Sequence, residues 1–476
     1  RMGRRVMILA AGVGSGHNMA ASAVEAGLTT LEPDAEVRRL DILETTNEVF
    51  NRLYDDAYFQ LVSQAPWLVG WGYDNADPPF KLAASPLKWL EQLNTVSFVR
   101  ELREYNPDVV ICTHFLPARL VSLMLARRQL RATLTVVTTD YDFQGLWLTA
   151  PFHHFFAARE ESREYLTTLG IPADRVTASG IPVRTGLADP VDDVSVRSEF
   201  GLRPGVPVVL ISAGAAGGSY TLQLVRQAMR MRSEFQAVVV CGRNAELKSG
   251  VEALVAGRDR DFVVLGFTDR MADLMRVASL FVGKPGGLSS SECMAAGLPM
   301  VIVNPIPGQE VRNADYLLEE GAAVRCNYAT TVGYKIDGLL SDPQRLAAMA
   351  AAARRVGRPD AGRDVARTSL AAAPEPLWIS RDAQRAMLQA AEEGVAAVDV
   401  EPEQRLRTLV DPEIGASVAL LTQTQLEVLG ARDWSRSVNL SLPFLNALRW
   451  QPESLDLASA GRWLLGDREE RTLDLR

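Results

Sequence analysis

Gly283-Lys284-Pro285-Gly286-Gly287-Leu288-Ser289-Ser290-Ser291-Glu292 follows an apolar run, Leu280-Phe281-Val282, and leads into Cys293-Met294-Ala295-Ala296. The pattern reads as a buried strand, a glycine turn and the start of a helix. Glycines let a ligand approach the backbone, and the first N–H groups of a helix sit at the positive end of its dipole, so this junction suits an anion. Ser289, Ser290 and Ser291 add hydroxyl donors, and Glu292 stands where a carboxylate can accept bonds from sugar hydroxyls. A second polar patch, Asn304-Pro305-Ile306-Pro307-Gly308-Gln309-Glu310-Val311-Arg312-Asn313, follows the next apolar run. Both patches fall at the C-terminal ends of adjacent expected strands, the edge where open α/β sheets bind ligands.

Outward from this stretch the chain repeats the same unit. Near its start, Val6-Met7-Ile8-Leu9-Ala10 reads as a buried parallel strand, Gly12-Val13-Gly14-Ser15-Gly16-His17 as its turn, and Met19 to Leu31 as a helix. A dinucleotide fingerprint begun at Gly12 would need glycine where His17 stands. A histidine at a helix start is kept neutral by the dipole, and a neutral imidazole facing a cleft can act as a general base. The residues alone leave an equal alternative, a histidine that caps the helix or bonds a loop carbonyl. Strands are expected at Asp108–Cys112 and Leu134–Val137, and the loops after them should open on the same edge as His17. Asp140, in the second of these loops, is either a second carboxylate that orients His17 or binds an acceptor hydroxyl, or a turn-forming Asp. Residues 45–92 carry Phe50, Tyr54, Tyr58, Trp67, Trp71 and Trp89 among prolines. They read either as a lipid-facing element or as helices packing aromatic sides onto the domain. In the second half, Val206–Ser212 leads into Gly214, Gly217, Gly218 and Ser219, and Phe262–Leu265 into Gly266-Phe267.

Lys284-Pro285-Gly286-Gly287-Leu288-Ser289 through Glu292, with Pro307-Gly308-Gln309-Glu310 and Asn313, resembles the donor-site signature of glycosyltransferase family 28. The pattern is that of its monogalactosyldiacylglycerol synthase and processive diacylglycerol glucosyltransferase branch. Gly180-Ile181-Pro182-Val183-Arg184 and Thr139-Asp140…Trp147 extend the resemblance over residues 5–373. It implies an α/β protein of GT-B type, with two Rossmann-like domains facing a cleft: residues 1–188 for the acceptor, and 189–373 for the nucleotide sugar, ending in helices that cross back. Residues 374–476 would form an extra domain of unknown role. The resemblance further implies an inverting transfer of a hexose from a UDP-sugar to a lipid such as diacylglycerol, giving a β-glycolipid. Gly214, Gly217 and Gly218 would face the diphosphate and Gly266-Phe267 the uracil. Gly286, Gly287, Leu288, Ser289 and Ser290 would form the anion-binding turn, and Glu292 would hold the ribose. Gln309 and Glu310 would hold the hexose with help from Asn313. Gly14-Ser15-Gly16 would be the acceptor loop, with His17 as base and Asp140 beside it. Relatives commonly carry histidines where this chain has Gln144 and Thr149, so any role of those histidines in acceptor handling has no counterpart here. No cofactor and no obligatory metal is expected.

Composition narrows the alternatives. The 476 residues exceed one ordinary domain, and 47% hydrophobic residues supply its cores. A formal charge of −8 argues against a general nucleic-acid binder. Cys112, Cys241, Cys293 and Cys326 are scattered singly and read as buried reduced thiols. The basic start leads straight into a strand, so no signal peptide is expected. No apolar run approaches the ~20 residues of a membrane span. The expected location is cytoplasmic, peripherally associated with the inner face of the cell membrane. Two other functions compete: transfer of N-acetylglucosamine from its UDP form to a polyprenyl-linked acceptor, and a non-catalytic nucleotide-sugar sensor.

Overall fold

A computed structural model describes residues 3–12, 16–45, 79–80, 96–212, 214, 220–258 and 260–396. They form two six-stranded parallel sheets. The first contains β1 (Arg5–Ala10), β2 (Glu36–Asp41), β3 (Val109–Cys112), β4 (Thr133–Val137), β5 (His154–Ala157) and β6 (Val176–Ala178), in the order β2-β1-β3-β4-β5-β6. Its described helices are α1 (Gly16–Leu31), α2 (Val96–Tyr105), α3 (Phe115–Ala126) and α4 (Glu160–Thr168). Next come α5 (Asp193–Glu199), β7 (Val208–Ser212), α6 (Tyr220–Ala228), β8 (Gln236–Val240), α7 (Ala245–Leu254), β9 (Phe262–Leu265) and α8 (Met271–Val277). The signature region supplies β10 (Leu280–Gly283), α9 (Gly287–Ala295), β11 (Met300–Val303), α10 (Gln309–Glu319) and β12 (Ala323–Cys326). The second sheet runs β12-β11-β10-β7-β8-β9. The remaining helices are α11 (Val332–Leu340), α12 (Pro343–Val356), α13 (Ala361–Leu370) and α14 (Arg381–Glu393).

The central strands are apolar throughout because helices cover both faces of a parallel sheet. Val109 to Cys112 and Met300 to Val303 are all buried. The strand order places the site. Each sheet reverses its winding direction once, between β1 and β3 in the first and between β7 and β10 in the second, and such switch points open a crevice at the C-terminal edge. The loops after β1 and β3 carry His17 and Thr113-His114, and those after β7 and β10 carry Gly214 and Lys284–Gly287.

Two connections lock the halves together. Helix α13 crosses back and lies along α1. Small residues allow the close approach: a Cβ on Gly27 would stand 2.8 Å from the Gly362 carbonyl oxygen, and one on Gly362 2.6 Å from that of Ala23. The second is between α13 and β4, where the Thr135 and Ser369 hydroxyls bond at 2.9 Å.

The described part of residues 374–476 departs from the expected separate domain. Leu377, Ile379 and the α14 residues Ala383, Ala386, Met387 and Ala390 sit in the core of the first sheet. Their spacing gives α14 one apolar stripe, and Leu377 exchanges backbone hydrogen bonds with Phe152. Residues 374–393 therefore complete the first domain. Residues 397–476 and the aromatic stretch 46–78 lie outside the described residues.

Candidate active site between the two sheets

Helix α1 opens at Gly16, so His17 stands in its first turn. Nδ1 of His17 lies 2.9 Å from the Thr113 carbonyl oxygen and 3.0 Å from the Thr139 hydroxyl. A carbonyl oxygen can only accept, so the proton sits on Nδ1 and Nε2 keeps its lone pair. The Thr113 hydroxyl donates in return to the His17 carbonyl at 3.0 Å. Burial pushes the His17 pKa below its ordinary value, against the opposing pull of the Thr113 bond and the Asp41 charge. A neutral imidazole with a free Nε2 is a competent proton acceptor at neutral pH.

The loop before His17 is held from below by Asp41, the last residue of β2. Its carboxylate accepts from Gly12 N at 3.0 Å, Asn18 Nδ2 at 2.9 Å and Leu43 N at 3.0 Å. A Cβ on Gly12 would meet Asp41 Oδ2 at 2.5 Å, so a side chain there would displace the carboxylate. His114 stands edge-on to His17, ring centroids 4.5 Å apart, and Trp147 closes the group at 6.3 Å from His17.

Residues at the C-terminal edge of the second sheet meet this group across the cleft. Gly16 and Leu288 approach to within 3.8 Å, measured from a Cβ placed on the glycine. Asn313 is fully buried. Its Oδ1 accepts from Tyr141 N at 3.0 Å, and its Nδ2 donates to the Pro285 carbonyl at 3.1 Å and, more loosely, to Asp140 Oδ1 at 3.5 Å. Gln309 Nε2 donates to the same Asp140 oxygen, and the Ser291 hydroxyl to Tyr141 OH at 3.0 Å. Burial raises the Asp140 pKa to about 6, in part offset by the Gln309 and Asn313 bonds.

Two carboxylates on this side are already engaged. Glu292 is buried and pairs with Arg184 of the interdomain segment. Burial raises its pKa and Arg184 opposes the shift. Glu310 Oε2 accepts from Ile306 N at 2.7 Å and closes the proline loop ahead of α10. Burial raises its pKa too.

Two family models match the chain: monogalactosyldiacylglycerol synthase over residues 17–183, and the glycosyltransferase family 28 C-terminal domain over residues 208–365. Together they account for both halves of the cleft. The chain belongs to glycosyltransferase family 28. It is 30% identical over 252 residues to a processive diacylglycerol beta-glucosyltransferase of Staphylococcus saprophyticus, covering 52% of this chain and 63% of that one. It is 29% identical over 272 residues to the protein of that name from Bacillus cereus, covering 57% and 69%. The match thus spans just under two thirds of the staphylococcal relative's length. Among solved structures, Acinetobacter baumannii MurG superposes with a TM-score of 0.51 at 19% identity, over 77% of this chain and 99% of that one. A Neisseria meningitidis UDP-GlcNAc 2-epimerase bound to UDP-GlcNAc gives 0.50 at 14% identity, over 77% and 100%. These likenesses establish the GT-B fold.

Within this family 28 cleft the expected residues sort into three groups. His17, Asp140, Gly286, Gly287, Leu288, Gln309 and Asn313 are brought together, and Gly287 for a reason the sequence did not suggest. A Cβ placed on it would collide with the Thr139 carbonyl, so glycine there serves the approach of the two domains. Phe267 stands apart and 67% exposed beyond β9, with the Arg243 guanidinium 4.9 Å above its ring and Gly266 beside it. Ser289 is half-buried, whereas Ser290 is fully buried with its hydroxyl unpartnered. Gly214 adopts φ 72° after β7. Gly14, Ser15, Gly217 and Gly218 lie outside the described residues.

One expectation is corrected. Asp140 does not orient His17; the Thr113 carbonyl and Thr139 hydroxyl do, and Asp140 faces Gln309 and Asn313 instead. Gln144, where relatives carry histidine, is buried and caps a short 3-10 turn through Oε1, which accepts from Leu146 N at 2.8 Å. The sequence reading gave no role to Asp41, Thr113, Thr139 or His114. Asp41 had a signal: an acid ending the second strand of a βαβ unit is where dinucleotide folds place their ribose ligand. Here it is turned onto the glycine loop.

Proposed function

We propose that the chain transfers a hexose from a UDP-sugar to the hydroxyl of a lipid acceptor such as diacylglycerol, with inversion at the anomeric carbon. The observation that carries this reading is His17. Its tautomer is set by Thr113, its Nε2 has no hydrogen-bond partner among the described residues, and its helix touches α9, the helix that opens with the donor signature. In the reaction Nε2 takes the acceptor's proton while its oxygen attacks the anomeric carbon, and the bond to UDP breaks with its electron pair leaving on the diphosphate. The charge on that diphosphate is offset by N–H groups at the start of α9 and neighbouring hydroxyls. Phe267 and Gly266 hold the uracil, and Glu292, paired with Arg184, holds the ribose. Gln309 turns from Asp140 to the hexose, and Glu310 stands beside it. Among the described residues no helix is long and apolar enough to cross a membrane; in this reading the protein meets its acceptor at the membrane surface.

The test is transfer from labelled UDP-glucose and UDP-galactose, separately, to diolein in mixed micelles. Labelled glycolipid from one donor, retained after EDTA treatment and lost in His17→Ala, supports the reading. Tight UDP binding without transfer to any lipid overturns the acceptor assignment.

A further inference from the structure

His114 is absent from the proposed chemistry, yet it is buried edge-on against His17. It caps α3, and its Nδ1 accepts a hydrogen bond from Leu116 N at 3.1 Å. In a neutral ring whose Nδ1 accepts, the proton must be on Nε2. His17 is the reverse, with Nδ1–H donating to the Thr113 carbonyl. Two neighbouring imidazoles are thus held by the backbone in opposite tautomers, one offering a lone pair at Nε2 and the other an N–H.

We propose that this pair reads the acceptor hydroxyl: His17 Nε2 accepts its proton while His114 Nε2–H donates to its oxygen. A hydroxyl is the group that can satisfy both nitrogens at once, as donor and as acceptor. Hydrogen bonds of about 2.9 Å on either side, opening at the angle of a hydroxyl oxygen, let one oxygen span nitrogens about 5 Å apart, compatible with rings whose centroids are 4.5 Å apart and whose planes cross at 83°. During transfer the acceptor O–H bond breaks toward His17 and the new bond to the anomeric carbon forms. The His114 proton stays on its ring and holds the attacking oxygen in place. An ester or ether oxygen brings no proton for His17, so the pair selects a free alcohol over a fully acylated glycerol. This inference rests on the proposed function for the nature of the acceptor, but the tautomers can be tested without it.

The chain has four histidines, which makes selective 15N-histidine labelling readable. Spectra of the full chain at pH 8, assigned with His17→Ala and His114→Asn, should show His17 protonated at Nδ1 and His114 at Nε2. Diolein in micelles should shift the Nε2 signals of both, and triolein neither. Asparagine is a good helix cap but is too short to replace the N–H. His114→Asn should therefore keep its unfolding midpoint and UDP affinity while losing about 10²-fold in kcat/KM for diolein. Matching tautomers, a diolein shift confined to His17, or an unchanged kcat/KM in His114→Asn overturns the proposal. A wild-type protein that transfers to no alcohol refutes the proposed function instead, and the spectra still decide the tautomer pair.

Discussion

Replacing Gly287 with alanine should open the cleft while leaving each half folded. The added methyl would stand 3.0 Å from the Thr139 carbonyl carbon, 3.2 Å from Asp140 Oδ1 and far inside contact distance of the Thr139 oxygen. Carbon atoms rest about 3.5–4.0 Å apart, so the carbonyl carbon alone demands a separation of about 0.5–1 Å and the oxygen demands more. Alanine is a good helix former, so α9 itself does not suffer. What gives is the contact between the two sheets. A shift of that size stretches the Asn313–Tyr141 and Ser291–Tyr141 bonds to or past the limit of hydrogen bonding, and the larger displacement that the oxygen demands parts Gln309 from Asp140 as well. Two neutral bonds at about 1 kcal/mol each and one to a carboxylate at about 1.5 total roughly 3.5 kcal/mol. At about 1.4 kcal/mol per tenfold, that is a few hundredfold in the closing equilibrium. Hydrogen exchange at the Tyr141 amide, which donates to Asn313 across the cleft, should accelerate by about this factor. Core amides such as that of Ile8 should hold their protection. Hexose transfer should fall about 10²-fold, the usual effect of misplacing reacting groups by about 1 Å, with UDP affinity little changed. A Gly287→Ala protein with native Tyr141 exchange and native turnover would refute the reasoning, because it would mean that the cleft does not close on this contact.

Three further outcomes are expected. In the proposed reaction His17 works as the neutral base, and its pKa is lowered by burial; activity should therefore persist as pH falls through 6.5 and decline only below it, and a kcat/KM profile whose acid limb is centred above 6.5 would contradict the assignment. Arg184→Gln strands a buried carboxylate; breaking such a pair costs about 3–5 kcal/mol, so the urea midpoint should drop and Arg184→Gln/Glu292→Gln should recover part of the loss, whereas an unchanged midpoint would show that the pair contributes nothing. Gly362→Ala places a methyl 2.6 Å from the Ala23 carbonyl oxygen; overpacking of this kind costs about 1–3 kcal/mol, and thermal unfolding of the variant should show the first domain loosened from α13.

The fold was legible where the chain obeys local rules. Strands such as Val109–Cys112 and Met300–Val303 are short apolar runs bounded by turn residues, and each is followed by the glycine or hydroxyl that a helix start demands. The strand β2, at the sheet's edge among the described residues, was harder, because Glu36, Arg38 and Arg39 interrupt its hydrophobic pattern. Helix α14 had a visible stripe, but its spacing says only that one face is buried, and not that the face belongs to a sheet more than two hundred residues earlier. The site shows the same division. Glycines and a histidine at a strand–helix junction announce an anion or proton-transfer site from local geometry alone. Which groups then fix the proton depends on main-chain carbonyls, and a carbonyl has no letter in the sequence. Thr113 acts on His17 through its backbone oxygen, and Gly287 matters because a Thr139 carbonyl from the other domain occupies the space a side chain would need. Asp140 was read as orienting His17, as binding an acceptor hydroxyl or as a turn former, because the sequence shows no other partner for the imidazole. Once the backbone supplies that partner, the carboxylate is free to face Gln309 and Asn313, and a residue expected to serve the acceptor side becomes part of the contact that joins the two domains.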